Sequence, residues 1–172
     1  MNDQPLPSLT GVRDFIIPQA ASLMPTIPFT PASNVLLLAI GLQESRFQHR
    51  QQIKGPARGL WQFEAGGGTR GVLHHPRTRR LAQDIADIRA GTTNVHPVNE
   101  ALSTDDVLAC CFARLLLWAD TRPLPKPGEV ESAWHCYLRN WRPGKPHRHT
   151  WDDLYEQASE AVRGRFDRMT VK

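Results

Sequence analysis

The sequence predicts a mainly α-helical single domain wrapped around one buried helix, and three features predict it. Fourteen prolines divide the 172 residues into pieces whose apolar residues recur at helical spacing. One of those pieces, Val35 to Leu42, is apolar nearly all round, the mark of a helix enclosed by the rest of the fold and not lying on its surface. The length supports one proper core, whereas two domains would leave each half marginal. With 40% hydrophobic and 22% charged residues and no internal repeat, the composition is that of an ordinary globular protein.

In chain order, residues 1–8 are polar and proline-rich and read as a loose tail, so the domain is expected over 9–172. A short amphipathic helix follows over 9–23, interrupted or bent at Pro18. Thr30-Pro31 is the strongest helix start, a capping hydroxyl followed by a residue whose fixed φ suits the first helical position. That helix runs to about Phe47 and is the expected hub. Between 48 and 76 Gly, Gln, Arg and His dominate and helical periodicity vanishes, so an irregular segment is expected there. A helix over 77–90 places Leu81, Ile85 and Ile88 on one face. Another over 104–119 is started by Ser103, with Asp105 and Asp106 in its first turn. One over 127–140 has Pro127 early. The last is capped by Thr150, with Leu154, Ala158, Ala161 and Val162 as its inward stripe.

Several function classes are disfavoured at this level. The apolar runs fall far short of the roughly 18 residues of a membrane span. The start, Met-Asn-Asp-Gln-Pro, lacks the basic and apolar regions of a signal peptide. Cys110, Cys111 and Cys136 are odd in number and read as small buried hydrophobes. Glu64-Ala65-Gly66-Gly67-Gly68-Thr69-Arg70-Gly71 lacks the Lys-Ser/Thr ending of a phosphate-binding loop. His74-His75 and His147-x-His149 lack partners at metal-ligand spacing, so no metal or cofactor is expected. The net charge of +4 is concentrated at Arg77, Arg79 and Arg80, and again at Arg139, Arg142, Lys145 and Arg148. That suits a polyanionic partner, whether nucleic acid or a bacterial cell wall, and equally a solvated surface.

The most informative residue is Glu44. At about 100° per residue it shares a helical face with Leu37, Ile40, Gly41 and Gln48, so its carboxyl group starts from an apolar row. A carboxyl group in such a place raises its pKa and stays protonated near neutrality, as the acid that cleaves a glycosidic bond must. The plainer alternative is that Glu44 lies where the helix surfaces, paired with Arg46, Arg50 or Arg58.

Glu44-Ser45-Arg46-Phe47, followed by Gly55-Pro56-Ala57-Arg58-Gly59-Leu60-Trp61-Gln62-Phe63, resembles the signature of the soluble lytic transglycosylase and goose-type lysozyme superfamily. In that family a Glu-Ser-x-Phe at a helix end precedes a Gly-Ala-x-Gly-Leu-Met-Gln segment. Pro56 is inserted here, and Trp61 stands where the family has Met. Residues 113–118 and 141–146 are similar to stretches of phage and prophage proteins with the same signature. The resemblance implies a lysozyme-like fold whose buried central helix carries the catalytic Glu44 at its C-terminal end. It implies Ser45, Gln62 and the backbone around Gly59 as lining of the sugar groove. The family's Ala-Tyr-Asn-Ala-Gly landmark would fall on Ala133-Trp134-His135-Cys136-Tyr137, without its Asn and Gly, which makes Tyr137 a candidate phenol near Glu44.

Trp61 is placed to stack on a sugar ring, since glycan grooves commonly combine aromatic faces with amides and arginines. Glu64 is the nearest second carboxylate, needed if water attacks with inversion and dispensable if the substrate's own 6-hydroxyl does. The expected activity is cleavage of the MurNAc-GlcNAc bond of peptidoglycan glycan strands. A phage-encoded enzyme would reach the wall by virion delivery, among other virion proteins, or by holin-type release. The alternative is a non-enzymatic phage structural or DNA-associated protein that keeps the fold as a scaffold.

Overall fold

A computed structural model describes residues 5–170, with side chains described as far as Gly164. Residues 1–4 of the expected tail and 171–172 of the expected domain lie outside the described residues. The protein is mainly helical, with eight helices and no β-strand among the described residues.

The first helix, α1, is a continuous run of Leu9–Gly11, Val12–Ile16 and Ile17–Leu23, the middle five residues having the wider π geometry. Pro18 neither interrupts nor ends it. The proline has no N–H to give to the carbonyl four residues back, and the wide turn just before it absorbs the mismatch, with the Ile17 N–H reaching Val12 O. Upstream, the chain is anchored: Ser8 accepts a hydrogen bond from Gly11 N at 3.1 Å, and Pro5 O accepts one from Arg50 Nη2 at 3.0 Å. Those two ties replace the loose end expected over residues 5–8.

Helix α2 spans Pro31–Ser45 and begins where Thr30-Pro31 predicts. Thr30 Oγ1 accepts from Ser33 N at 3.2 Å while Ser33 Oγ accepts from Thr30 N at 2.8 Å, a reciprocal cap. From Leu36 to Ile40 every residue is at most 1% exposed, so the enclosure read from its uniform apolarity is what the fold provides.

The segment expected to be irregular contains a helix after all. Ala65–Thr69 forms a wide turn that continues as Arg70–His74, together α3. Three glycines hide its period, yet Thr69, Val72 and Leu73 give it an inward row with no exposure. Gly68 is required there: a Cβ would sit 2.8 Å from Phe63 Cδ1.

Helix α4, Arg79–Ala90, stops at Gly91 in the left-handed region, φ 65°. Its stripe is Ala82, Ile85 and Ala86. Ile88, expected to share the inward face, lies off its margin and is 75% exposed. Helix α5, Val95–Ala101, lies in a stretch where no element was expected, and it holds His96-Pro97 in its first turn. A proline in the first turn forfeits only an N–H that has no helical partner.

Helix α6, Asp106–Ala119, is capped by Asp105, whose Oδ1 accepts from Leu108 N at 2.9 Å. Ser103, the expected starter, instead donates its hydroxyl to Glu100 O at 2.7 Å and closes α5. Helix α7 spans Val130–Trp141, starting three residues later than Pro127 suggests. Helix α8 begins at Arg148 and runs through Thr170. Thr150 lies inside its first turn, with its hydroxyl donating to His147 O at 2.9 Å.

Residues of α1 to α8 and of the 57–63 loop join in one hydrophobic core, which includes all three cysteines as free thiols. No helix among the described residues is long and apolar enough to cross a membrane.

Candidate active site around Glu44

The C-terminal end of α2 is built by a sharp reversal. Arg46 and Phe47 both adopt left-handed conformations, φ 55° and 57°, which turn the chain back along the helix. The Phe47 ring then lies on Gly41, where a Cβ would stand 2.2 Å from Phe47 Cε1 and 3.2 Å from Trp61 Nε1. Gly41 is therefore a socket in an otherwise apolar helix. Ser45 ties the turn to the next loop. Its hydroxyl lies 2.7 Å from Leu60 O and 3.2 Å from Gly41 O, and accepts from Phe47 N at 3.1 Å.

That loop is folded back by isolated antiparallel bridges pairing Gln51 with Arg58 and Arg58 with Phe63. Gly59 turns it at φ 76°, and a Cβ there would meet Leu102 O at 2.8 Å, so only glycine fits. Gln62 is also left-handed, φ 50°, with its side-chain amide donating to Gly59 O at 2.8 Å. Trp61 points inward, fully enclosed, with Nε1 donating to Leu37 O at 2.8 Å.

Glu44 lies one residue before this knot and keeps part of its surface in solvent. Its Oε1 accepts a hydrogen bond from the Tyr137 hydroxyl at 2.7 Å. Tyr137 is only 3% exposed, stacked on Trp151 at 5.4 Å between centroids and tilted against Trp134 and Trp141. No Lys, Arg or His of the described residues forms an ion pair with Glu44. Arg50 is turned to Asp106 and Arg58 to Glu100, at 2.8 and 3.0 Å, which removes the plainer reading of Glu44 as a surface salt-bridge partner.

The electrostatic result follows from the surroundings. Burial pushes the Glu44 carboxyl group up to about 7, partly opposed by the Tyr137 hydrogen bond, which favours the ionised form. The phenol of Tyr137 is pushed upward as well, first by burial and then by the neighbouring carboxylate, so it remains a donor. Near neutrality the pair can both give a proton and take one back.

The fold brings Tyr137 and Glu44 together from 93 residues apart. The other expected groove residues are differently placed. Trp61, expected to stack on sugar, has no exposed face, because its indole fills the gap between α2 and the 57–63 loop. The Ser45 side chain is spent on backbone partners and is 1% exposed, while buried Gly59 packs on Leu102. These three hold the site's shape and offer no side-chain surface to a ligand. Gln62 is half-buried and Glu64 exposed, and neither is hydrogen-bonded to Glu44. Two hollows of about 480 and 440 Å³ lie elsewhere, one lined by Arg50, Arg89, Asp105 and Asp106, the other by Val35, Pro127 and Val162; Glu44 lines neither.

The roles of two contributors escaped the sequence reading. Gly41 was visible as a lone glycine in an apolar helix, a signal of close approach. The partner of Trp141, whose Nε1 donates to Trp61 O at 2.9 Å, had no sequence signal at all.

The chain matches no family model, no curated protein and no solved structure.

Proposed function

We propose that this protein cleaves the glycan strands of bacterial peptidoglycan as a lytic transglycosylase of lysozyme-like fold, with Glu44 as the single acid/base group. One observation carries the reading: a carboxyl group at the end of a buried helix, held up to about 7 by its surroundings, and bonded among the described residues to a phenol and to no cation. That is the protonation behaviour general acid catalysis needs at neutral pH. The Glu44-Ser45-Arg46-Phe47 motif and its resemblance to the lytic transglycosylases supply the substrate class.

Protonated Glu44 gives its proton to the bridging oxygen as the C1–O bond of the muramic-acid ring breaks. The resulting carboxylate faces the developing positive charge at C1, then takes the proton of the ring's 6-hydroxyl as that oxygen bonds to C1. The product is a 1,6-anhydro sugar, and Glu44 is protonated again. Tyr137 donates throughout to the oxygen that carries charge midway, steadying the ionised form. The choice of the intramolecular hydroxyl over water activated by a second carboxylate rests on the resemblance to the lytic transglycosylases; Glu64, the nearest second carboxylate in sequence, is exposed.

The test is clearing of purified cell walls with mass spectrometry of the released muropeptides. Wild type is expected to release anhydro-muropeptides and Glu44→Gln none. Products heavier by one water would turn the assignment to lysozyme. Equal clearing by both proteins would overturn the assignment of Glu44, and none by either would overturn the activity and favour the non-enzymatic scaffold.

A further inference from the structure

Glu44 and Tyr137 sit on helices that barely touch. Helix α2 is packed chiefly against α8, and α7 meets α2 directly at few points, so apart from the stacking of Tyr137 on Trp151 of α8 there is little interhelical packing to hold the 2.7 Å bond between the two side chains. Between the helices stands Trp61. Its indole N–H is bonded to Leu37 O on α2 at 2.8 Å, and its own carbonyl oxygen accepts the indole N–H of Trp141 on α7 at 2.9 Å. Leu37 lies seven residues before Glu44, about two turns along the same face. Trp141 lies one turn beyond Tyr137 on the same side of α7. Leu37, Trp61, Trp141, Tyr137 and Glu44 thus close a ring in which every link is a helix segment, a rigid indole or a hydrogen bond.

We infer that Trp61 and Trp141 are positioning residues: together they form a strut that sets the spacing of α2 and α7 and thereby keeps the Tyr137 hydroxyl on the Glu44 carboxyl group. Three further observations fit a strut better than ordinary core filling. Trp61 is wholly enclosed, so its bulk is not there to face a ligand. Gly41 leaves the space that lets the indole reach a mid-helix carbonyl, since a Cβ there would stand 3.2 Å from Nε1. Phe63 rests edge-on against Trp141 at 5.9 Å, locking the second indole from the loop side. A hydrogen bond to a carboxyl group is lost when its partners part by roughly an ångström, so a small change in strut length is felt at Glu44.

The functional consequence rests on the proposed role of Glu44, but the test does not. The carboxyl carbon of Glu44 is followed by NMR against pH in protein labelled with ¹³C-glutamate, with Glu44→Gln identifying the resonance. In Trp141→Phe, and with Trp141 replaced by 3-benzothienylalanine, which keeps the indole's shape without its N–H, the midpoint is expected to rise by about one unit. Tyr137→Phe is expected to do the same, and the Tyr137→Phe/Trp141→Phe double variant no more than Tyr137→Phe alone, because both act through one bond. A benzothienylalanine protein that titrates as wild type refutes the strut even if Trp141→Phe fails to fold. So do shifts that add in the double variant. A wild type that clears no wall would sink the proposed activity and leave this titration result standing.

Discussion

Two of the helix ends that carry carboxyl groups are built on opposite plans. At the start of α6, Asp105 and Asp106 each meet an arginine through both oxygens: Arg89 reaches Asp105 at 2.7 and 2.8 Å, and Arg50 reaches Asp106 at 2.8 Å twice. Asp105 also caps the helix, where negative charge is favoured. At the close of α2, Glu44 is largely buried, accepts a hydrogen bond from one phenol and has no ion-pair partner among the described residues. The first arrangement satisfies its charges and firms the guanidinium protons of Arg50 and Arg89. The second leaves ionisation costly, which is a burden to stability and an asset to an acid catalyst. Identical chemistry, placed where arginines converge or where they do not, becomes a clasp or a proton donor.

The sharpest test of that contrast is Glu44→Gln. Wall clearing is expected to fall on the order of 10²–10⁴-fold. Stability is expected to move the other way. With its folded pKa at about 7 against 4.5 unfolded, Glu44 keeps in the folded state a proton that the unfolded chain releases, so wild-type stability falls as pH rises across that interval. Thermal or urea unfolding at pH 8 should then find Glu44→Gln more stable by up to about 3 kcal/mol, and at pH 4 no different. A variant less stable than wild type at pH 8 would break the comparison.

Asp106→Asn probes the clasp. The two side chains are 13% and 11% exposed, and removing one charge breaks a largely buried, two-bonded ion pair, for a loss of about 2–3 kcal/mol in urea unfolding. The pH dependence of wall clearing should stay where it was. Gly41→Ala probes the packing that lets the Glu44 turn close; with Phe47 Cε1 only 2.2 Å from the new carbon, a cost of about 1–3 kcal/mol is expected by the same measurement. The smallest effect is expected from Tyr137→Phe. Losing the hydrogen bond that favours the carboxylate raises the Glu44 pKa further, so the alkaline limb of the clearing profile should move up by about one unit. Movement to lower pH would show that the phenol stabilises the protonated form.

Much of the helical plan was legible because its signals are local. Thr30-Pro31 marks the start of α2 through a cap and a fixed φ, both properties of adjacent residues, and Gly91 ends α4 for a similar reason. Where signals competed, the reading failed. Ser103 and Asp105 are both good caps, and the choice between them turned on Glu100 offering a carbonyl to one hydroxyl. The glycines of 66–68 masked α3, whose helix is favoured by Phe63 lying against Gly68 and not by propensity. Trp61 was misjudged for a related reason. A tryptophan in a polar loop suits a sugar face or a core equally well, and its sequence neighbours say nothing of the gap beside Leu37 that it fills.

By itself, the sequence determined that one helix would be enclosed on all sides and that Glu44 would end it on an apolar row, because a period of about 3.6 residues assigns each side chain to a side of its own helix. It could not determine what would lie opposite. That Tyr137 meets Glu44, that Arg50 and Arg58 turn to other carboxylates, and that Trp61 bridges two helices were decided only when α7, α6 and the 57–63 loop took their places. A proton affinity is set by everything within a few ångströms of the group, and most of what surrounds this one comes from distant parts of the chain.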